Sequence, residues 1–344
     1  MRALMMNALV FVAILLTACS RSAVADVELN NIPGENRVEV IVNGRDFTSY
    51  WWHPTLFKPV LYPVRTAKGT TVTRNYPPLP NEADDHPHHV GVWFNYGNVN
   101  GLDFWNNSGA VAPDKKSQYG SIKHREIKTM KSGKEGVLGV ICDWVDNDGN
   151  VLLVEETTFT FRGEGDLRII DREAKLTAKT DVEFKDNKEG CVAIRVTTPL
   201  QLPSSIKKSK FTDSRGTVTE VVGGEGANGN YLSSEGKEGD DVWGTRGKWM
   251  KLYGHFGNEN IDLVIIDHPK NPGYPTHWHA RNYGLFAANT LGQKALSNGK
   301  LELNYRLAKG ESTHFNYRIL VNCGPTLSKG QIEARFEEFS KRGG

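Results

Sequence analysis

Cysteine is scarce in this chain. Its 344 residues hold 4, and no two form a Cys-x-x-Cys pair, so a thiolate-held zinc site is not expected. An excess of charge of one sign is lacking as well: Lys plus Arg number 42 against 40 Asp plus Glu. That balance leaves no broad basic field to hold nucleic acid. Beyond the extreme N-terminus, no apolar run approaches the roughly 18 residues of a membrane-spanning helix. No repeat of ~20 to 50 residues argues for a propeller or solenoid. Helical periodicity is almost absent too, which turns attention to strands.

The N-terminus is the exception to the missing apolar runs. Arg2 precedes an apolar stretch from Ala8 to Leu16, too short to cross a bilayer, and Leu16-Thr17-Ala18-Cys19 resembles a bacterial lipobox. Residues 1–18 therefore read as a lipoprotein signal peptide, with Cys19 as the lipid anchor of an exported protein on the periplasmic face of a membrane. An ordinary signal peptide cut near Ala23-Val24-Ala25 is the alternative. Residues 19–36 are polar and read as a flexible tether, and 37–344 read as a single domain. Cys142, Cys191 and Cys323 remain, and export is compatible with one disulfide among them. Cys142 and Cys191 lie in apolar segments, where a buried free thiol is the commoner state.

Alternation of period two begins at Arg37-Val38-Glu39-Val40-Ile41-Val42, and Asn43-Gly44 supplies a hairpin turn into Phe47 to Trp52. Further segments rich in Val, Ile, Thr and Phe run from Ile122 to Met130, Val137 to Val145, Val151 to Phe161, Leu167 to Ala178 and Cys191 to Thr198. Others run from Lys248 to Phe256, Ile261 to Asp267, Tyr283 to Ala288, Leu301 to Leu307 and Thr313 to Val321. Gly223 to Asp241 is Gly-rich and polar and reads as a long surface loop. Only the tail is helical: Ser328 with Gln331 makes a capping box, and Ile332, Phe336 and Phe339 share a face. So many strands with almost no βαβ alternation predict an all-β fold, a large antiparallel β-sandwich with one C-terminal helix.

Chemistry concentrates in Asp84-Asp85-His86-Pro87-His88-His89, just ahead of an aromatic strand. Imidazole is the usual metal ligand and the usual acid or base near neutral pH. On an extended backbone His86 and His88 would point to one side and His89 to the other. A second row, His277-Trp278-His279-Ala280-Arg281, sets two imidazoles and a cation on one side of a strand. A third group is Glu189 at the mouth of a strand, a candidate base, with Arg195 six residues on to hold a substrate hydroxyl or carboxylate. Each has a plainer reading: a solvated loop histidine, an incidental pair, a surface ion pair of Glu189 with Arg195. If the histidine groups converge, His86, His88, His277 and His279 with Asp85 could hold a divalent transition metal such as zinc, iron or copper. The rival is metal-free proton transfer between imidazole and carboxylate. Sequence leaves both open.

Four blocks carry a family resemblance: Arg65 with Thr73-Arg74, the His86-Pro87-His88-His89 block running on to Asp103-Phe104-Trp105, Lys188-Glu189-Gly190 with Ile194-Arg195, and Tyr274 to Asn289. Together they resemble exported bacterial proteins labelled the methane oxygenase PmoA family, over about Arg37 to Val321. The label implies a membrane-embedded subunit with several spanning helices, and none can be drawn here. The resemblance implies instead a β-sandwich of the galactose-mutarotase type, from organisms that degrade glycans. It favours His88, His89, Glu189, Arg195, His279 and Arg281 as catalytic residues. Two departures stand out: Val90 where the pattern has Arg, and His277 where it has Tyr. The expectation is a carbohydrate-active enzyme of epimerase, lyase or hydrolase type using His/Glu acid-base chemistry, with a carbohydrate or other small molecule as partner. A metal-dependent oxidoreductase and a non-catalytic glycan- or partner-binding lipoprotein are the alternatives.

Overall fold

The computed structural model describes residues 26–80 and 82–342; the expected signal peptide and Cys19 lie outside the described residues. Two eight-stranded antiparallel sheets dominate. The first runs, edge to edge, through Val27–Ile32, Arg37–Val42, Arg45–Trp51, Val60–Leu61, Val92–Tyr96, Gly190–Arg195, Leu285–Asn289 and His277–Ala280. The second runs through Asn230–Ser233, Trp249–Phe256, Glu259–Asp267, Ser312–Asn322, Leu167–Ala178, Val151–Glu164, Gly136–Val145 and Ser121–Lys131. The expected all-β antiparallel sandwich is therefore the fold observed.

Alternation makes the layers. In Arg37–Val42 every second residue, Val38, Val40 and Val42, is buried, while the turn that follows places Asn43 and Gly44 at φ of 52° and 68°. Two successive positive φ values give the tight hairpin whose twist matches its strands. The core between the sheets joins Val40, Phe94, Val192 and Phe286 of the first to Trp144, Phe161, Ile265 and Tyr317 of the second. On the far side of the second sheet, helix Lys329–Ser340 lays Ile332, Phe336 and Phe339 against Trp249, Ile169 and Leu320. Its expected capping box is present, with Ser328 and Gln331 bonded reciprocally.

Several boundaries differ from expectation. The tether expected over 19–36 is in part a strand: Val27–Ile32 pairs with Arg37–Val42, Val27 opposite Val42. Only Val27 and Leu29 are buried there, too few for the alternation to show in sequence. Within the loop expected over Gly223 to Asp241, Asn230–Ser233 forms the edge strand of the second sheet. An unforeseen hairpin, Ser209–Thr212 with Val218–Val221, stands apart from both large sheets as a sheet of its own. Cys142, Cys191 and Cys323 are free and buried.

Central strands of the first sheet are buried on both faces, as Gly190–Arg195 and Leu285–Asn289 show. A sheet whose outer face is also covered has something lying on it. That cover is the candidate site.

Candidate functional site

The floor is a single row across four adjacent strands. Trp93 is paired with Ala193, Ala193 with Ala287, and Ala287 with His279. Two alanines between two large rings leave a depression in the middle of the row, because facing side chains in a sheet lie only ~5 Å apart at Cβ. Trp93, Ala193 and Ala287 belong to an apolar cluster on this outer face with Val90, Trp105, Tyr283 and Leu285.

Over the floor folds the histidine loop. Arg74 ties it down: Nη1 donates to the Ala83 and Asp85 carbonyls, and Nη2 to the His86 and His89 carbonyls. Asp85, buried, accepts from Arg74 and Arg195 and lies 2.9 Å from His86 Nδ1. His86 adopts φ of 43°, and the His89 amide donates to the His86 carbonyl at 2.9 Å. The segment is thus a turn and not extended chain. The expected split of His86 and His88 from His89 is overturned, and all three rings gather. Tyr283, His86, His89 and Trp93 stack in one column, with successive ring centres 5.1, 4.7 and 5.1 Å apart. The His88 ring meets that of His89 edge-on at 4.3 Å.

Glu189 forms the facing wall. Its carboxylate accepts from Asn106 Nδ2 at 2.8 Å and from the amide and hydroxyl of Ser214, and Lys188 Nζ stands 4.0 Å away. Asn106 in turn is held by Asp103, which also accepts from Arg215 Nε at 2.9 Å. The hairpin therefore closes the cleft: Phe211 packs on Tyr283 with ring centres 4.6 Å apart, and Ser214 and Arg215 at its tip clamp onto Glu189 and Asp103. The cleft, narrow and partly open to solvent, is lined by His86, His88, His89, Glu189, His279 and Arg281 together with Lys188, Asn106, Tyr283 and the hairpin.

Burial sets the electrostatics. It pushes the imidazoles of His88, His89 and His279 well below the ordinary histidine value, and nearby cations push the same way: Arg74 and Arg195 for the first two, Lys58 for His88 as well, and Arg281 and Lys188 for His279. These rings are neutral near neutral pH. Burial raises the Glu189 carboxyl, Asp103 adds to the rise, and the Ser214, Lys188 and Asn106 contacts only partly offset it. For Asp85 burial acts upward too, yet Arg195 and His86 hold it far below the carboxylate range, so it stays ionised. Acid and base values in the cleft are thereby drawn toward one another. Three buried ring nitrogens, Nε2 of His88, Nε2 of His89 and Nδ1 of His279, have no hydrogen-bond partner.

Of the expected catalytic set, His88, His89, Glu189, His279 and Arg281 line this one cleft and Arg195 does not. Arg195 is fully buried beneath it, with Nη2 2.7 Å from Asp85 and the guanidinium 4.7 Å from the Tyr283 ring centre, so it positions the loop and does not reach substrate. The surface ion pair of Glu189 with Arg195 is likewise absent, since each has other partners. His277 lies away from the cleft, its Nδ1 3.1 Å from the Gly244 carbonyl. The proposed metal set of His86, His88, His277 and His279 is not assembled. Among the described residues no group of three or more His, Cys, Asp and Glu side chains is arranged to hold a metal ion. Sequence reasoning passed over Lys188, Tyr283 and Asn106, although all three fall in or next to blocks already singled out. The hairpin residues Phe211, Asp213, Ser214 and Arg215 carried no local signal.

No curated protein matches this chain. Among solved structures it is similar to the α-galactosidase AgaB of Geobacillus stearothermophilus, at 9% identity over 86% of this chain with a TM-score of 0.40. This chain spans only 41% of that enzyme's length. It is also similar to a galactose mutarotase related enzyme of Lactobacillus acidophilus, at 7% identity over 88% of this chain and 100% of the other, with a TM-score of 0.32. The Slr1438 protein of Synechocystis matches at 10% identity over 87% of this chain and 95% of its own, also with a TM-score of 0.32. The model of a family of unknown function, DUF6807, matches residues 37–337, and the chain belongs to that family.

Proposed function

We propose that the protein is an acid-base enzyme acting on a carbohydrate, by proton transfer at the cleft between the histidine loop and Glu189. The observation that carries this reading is that His88, His89 and His279, each with a buried ring nitrogen that has no protein partner, line the same cleft as a buried carboxyl. An unpartnered buried polar atom costs about 1–3 kcal/mol, so a fold that keeps three in one place is shaped for something to bond them. A polyhydroxylated ligand offers both donors and acceptors for that purpose.

The chemistry follows from the shifted protonation. The Glu189 carboxylate, made a stronger base by burial, takes a proton from a sugar hydroxyl or carbon and returns it at another position of the same sugar, while a neutral imidazole hydrogen-bonds the oxygen alongside. The net proton count is unchanged. Burial raises the basicity of the Glu189 carboxylate and keeps the imidazoles neutral, so the first serves as the proton acceptor and the second as hydrogen-bonding partners. Asp85, Arg74 and Arg195 act one layer below, fixing the loop so that the rings do not reorganise during the step.

His88→Ala, Glu189→Gln and His279→Ala are each expected to lower turnover on a panel of oligosaccharides by about 10²-fold or more, with thermal melting close to that of the parent. Full turnover in all three variants would remove the proposal.

A further inference from the structure

Arg281 is set apart from the other arginines around the cleft. Arg74, Arg195 and Arg215 each donate to carboxylates or carbonyls of the chain. Arg281 lines the cleft, and among the described residues its side chain makes no hydrogen bond or ion pair. What holds it is aromatic. Its guanidinium lies 4.6 Å from the ring centre of Trp243 and 5.4 Å from that of Phe211. Rings near the guanidinium fix the group and take up its faces, leaving the forked edge of N–H donors for a partner. A guanidinium stays charged in proteins, so this edge is a permanent, half-buried positive charge whose N–H donors have no hydrogen-bond partner, with Asp240 acting on it only at a distance.

The cleft's other charges do not answer it. Lys188 is a second cation, with Nζ bonded to the Thr212 carbonyl. Glu189 is engaged by Asn106 and Ser214. Asp213, also lining the cleft, accepts from the amides of Arg215 and Thr217 in its own turn. The cleft thus presents to an occupant one guanidinium with no hydrogen-bond partner of its own, beside Lys188, whose charge Glu189 faces at 4.0 Å.

We propose that the sugar bound here is a uronic acid residue, whose carboxylate takes the forked edge of Arg281 with Lys188 as a second positive charge. A planar fork matches a planar carboxylate through two parallel N–H···O bonds, and a neutral hexose offers no such group. The inference rests on the reading of the cleft as a sugar site and narrows it to acidic sugars.

The test is calorimetric titration of the full chain with trisaccharides of glucuronate, galacturonate and mannuronate. The matching neutral trisaccharides and a sulfated hexose serve as controls. At least one uronate is expected to bind about ten-fold or more tighter than its neutral counterpart, the size of one charge-assisted hydrogen bond. Arg281→Gln should erase that preference with unchanged melting, and Arg281→Lys, which keeps charge and loses the fork, should restore only part of it. Equal affinity for neutral and acidic sugars, no uronate binding, a preference for sulfate over carboxylate, or an unaltered preference in Arg281→Gln would each overturn the proposal. Turnover of neutral sugars with uronates ignored defeats this inference alone. Uronate binding through Arg281 with no turnover by the parent protein defeats the acid-base reading and leaves this one standing.

Discussion

Lys58 shows how the site is built from single charged residues placed against solvation. It lies beneath the histidine loop, where its ammonium donates to the His88 carbonyl at 2.7 Å and stands 5.4 Å from the Trp93 ring centre. Burial pulls its pKa from 10.5 down to about 7, with Asp103 pulling weakly the other way. Between these values the unfolded chain holds the proton and the folded chain does not. Stability from this group therefore rises with pH from about 7 to 10.5 and is flat above. Lys58→Met removes that rise. Relative to the parent, the variant should be most favoured near pH 6 and lose ground steadily toward about pH 10 in denaturant titrations. A stability difference that does not change with pH would mean that Lys58 stays charged in the fold. The same residue touches function, since its hydrogen bond fixes the carbonyl of a cleft histidine.

At the scale of elements, the hairpin Ser209–Thr212 with Val218–Val221 is the piece least supported by its neighbours. It joins neither large sheet and is fastened at its tip, where Arg215 pairs with Asp103 and donates to the Gln118 carbonyl. Arg215→Ala should loosen it without disturbing the core, since the clamp is outside both sheets. Limited proteolysis is expected to cut between Ser209 and Val221 at least several-fold faster, with far-UV dichroism unchanged and sugar affinity reduced. Cleavage at the parent rate would show that the hairpin is held without Arg215, by Phe211 on Tyr283, Ser214 on Glu189 and Lys188 on the Thr212 carbonyl. This element also marks where sequence reading stops. The long strands were legible because alternation is local: Leu167–Ala178 has the bounds its pattern predicts. The hairpin's contacts to Asp103 lie 112 positions away, so nothing in its own residues announces them. Histidine density pointed to a loop that does line the cleft, but the side each ring takes differs from expectation, because His86 sits at a positive φ that period-two reasoning does not contain. His277 was misplaced for a related reason. Sharing a face with His279 is a statement of parity, and which part of that face the loops cover depends on tertiary packing.

For the whole molecule, the question is why the site sits outside the sandwich and not between its sheets. The inner face of the first sheet is filled by large side chains that interlock with the second sheet, among them Phe94, Ile194 and Phe286. The outer face carries Ala193 and Ala287 in the middle of its row, flanked by Trp93 and His279. Small residues at the centre and large ones at the flanks make one face concave, while the other keeps its packing. Folding and cleft formation are thus assigned to opposite faces of the same strands. Ala287→Leu tests that division. It adds bulk on the outer face next to His279, and overpacking of this kind costs about 1–3 kcal/mol. The inner face is untouched, so the variant should remain folded, melting cooperatively at a lower temperature. Its effect on the cleft should be far larger, because a leucine there presses on the His279 ring and on the histidine loop above it; sugar binding is expected to fall by at least about ten-fold, equivalent to roughly 1.4 kcal/mol. Binding at parental strength, with the same loss of melting temperature, would show that the alanine row supports the sheet and not the cleft.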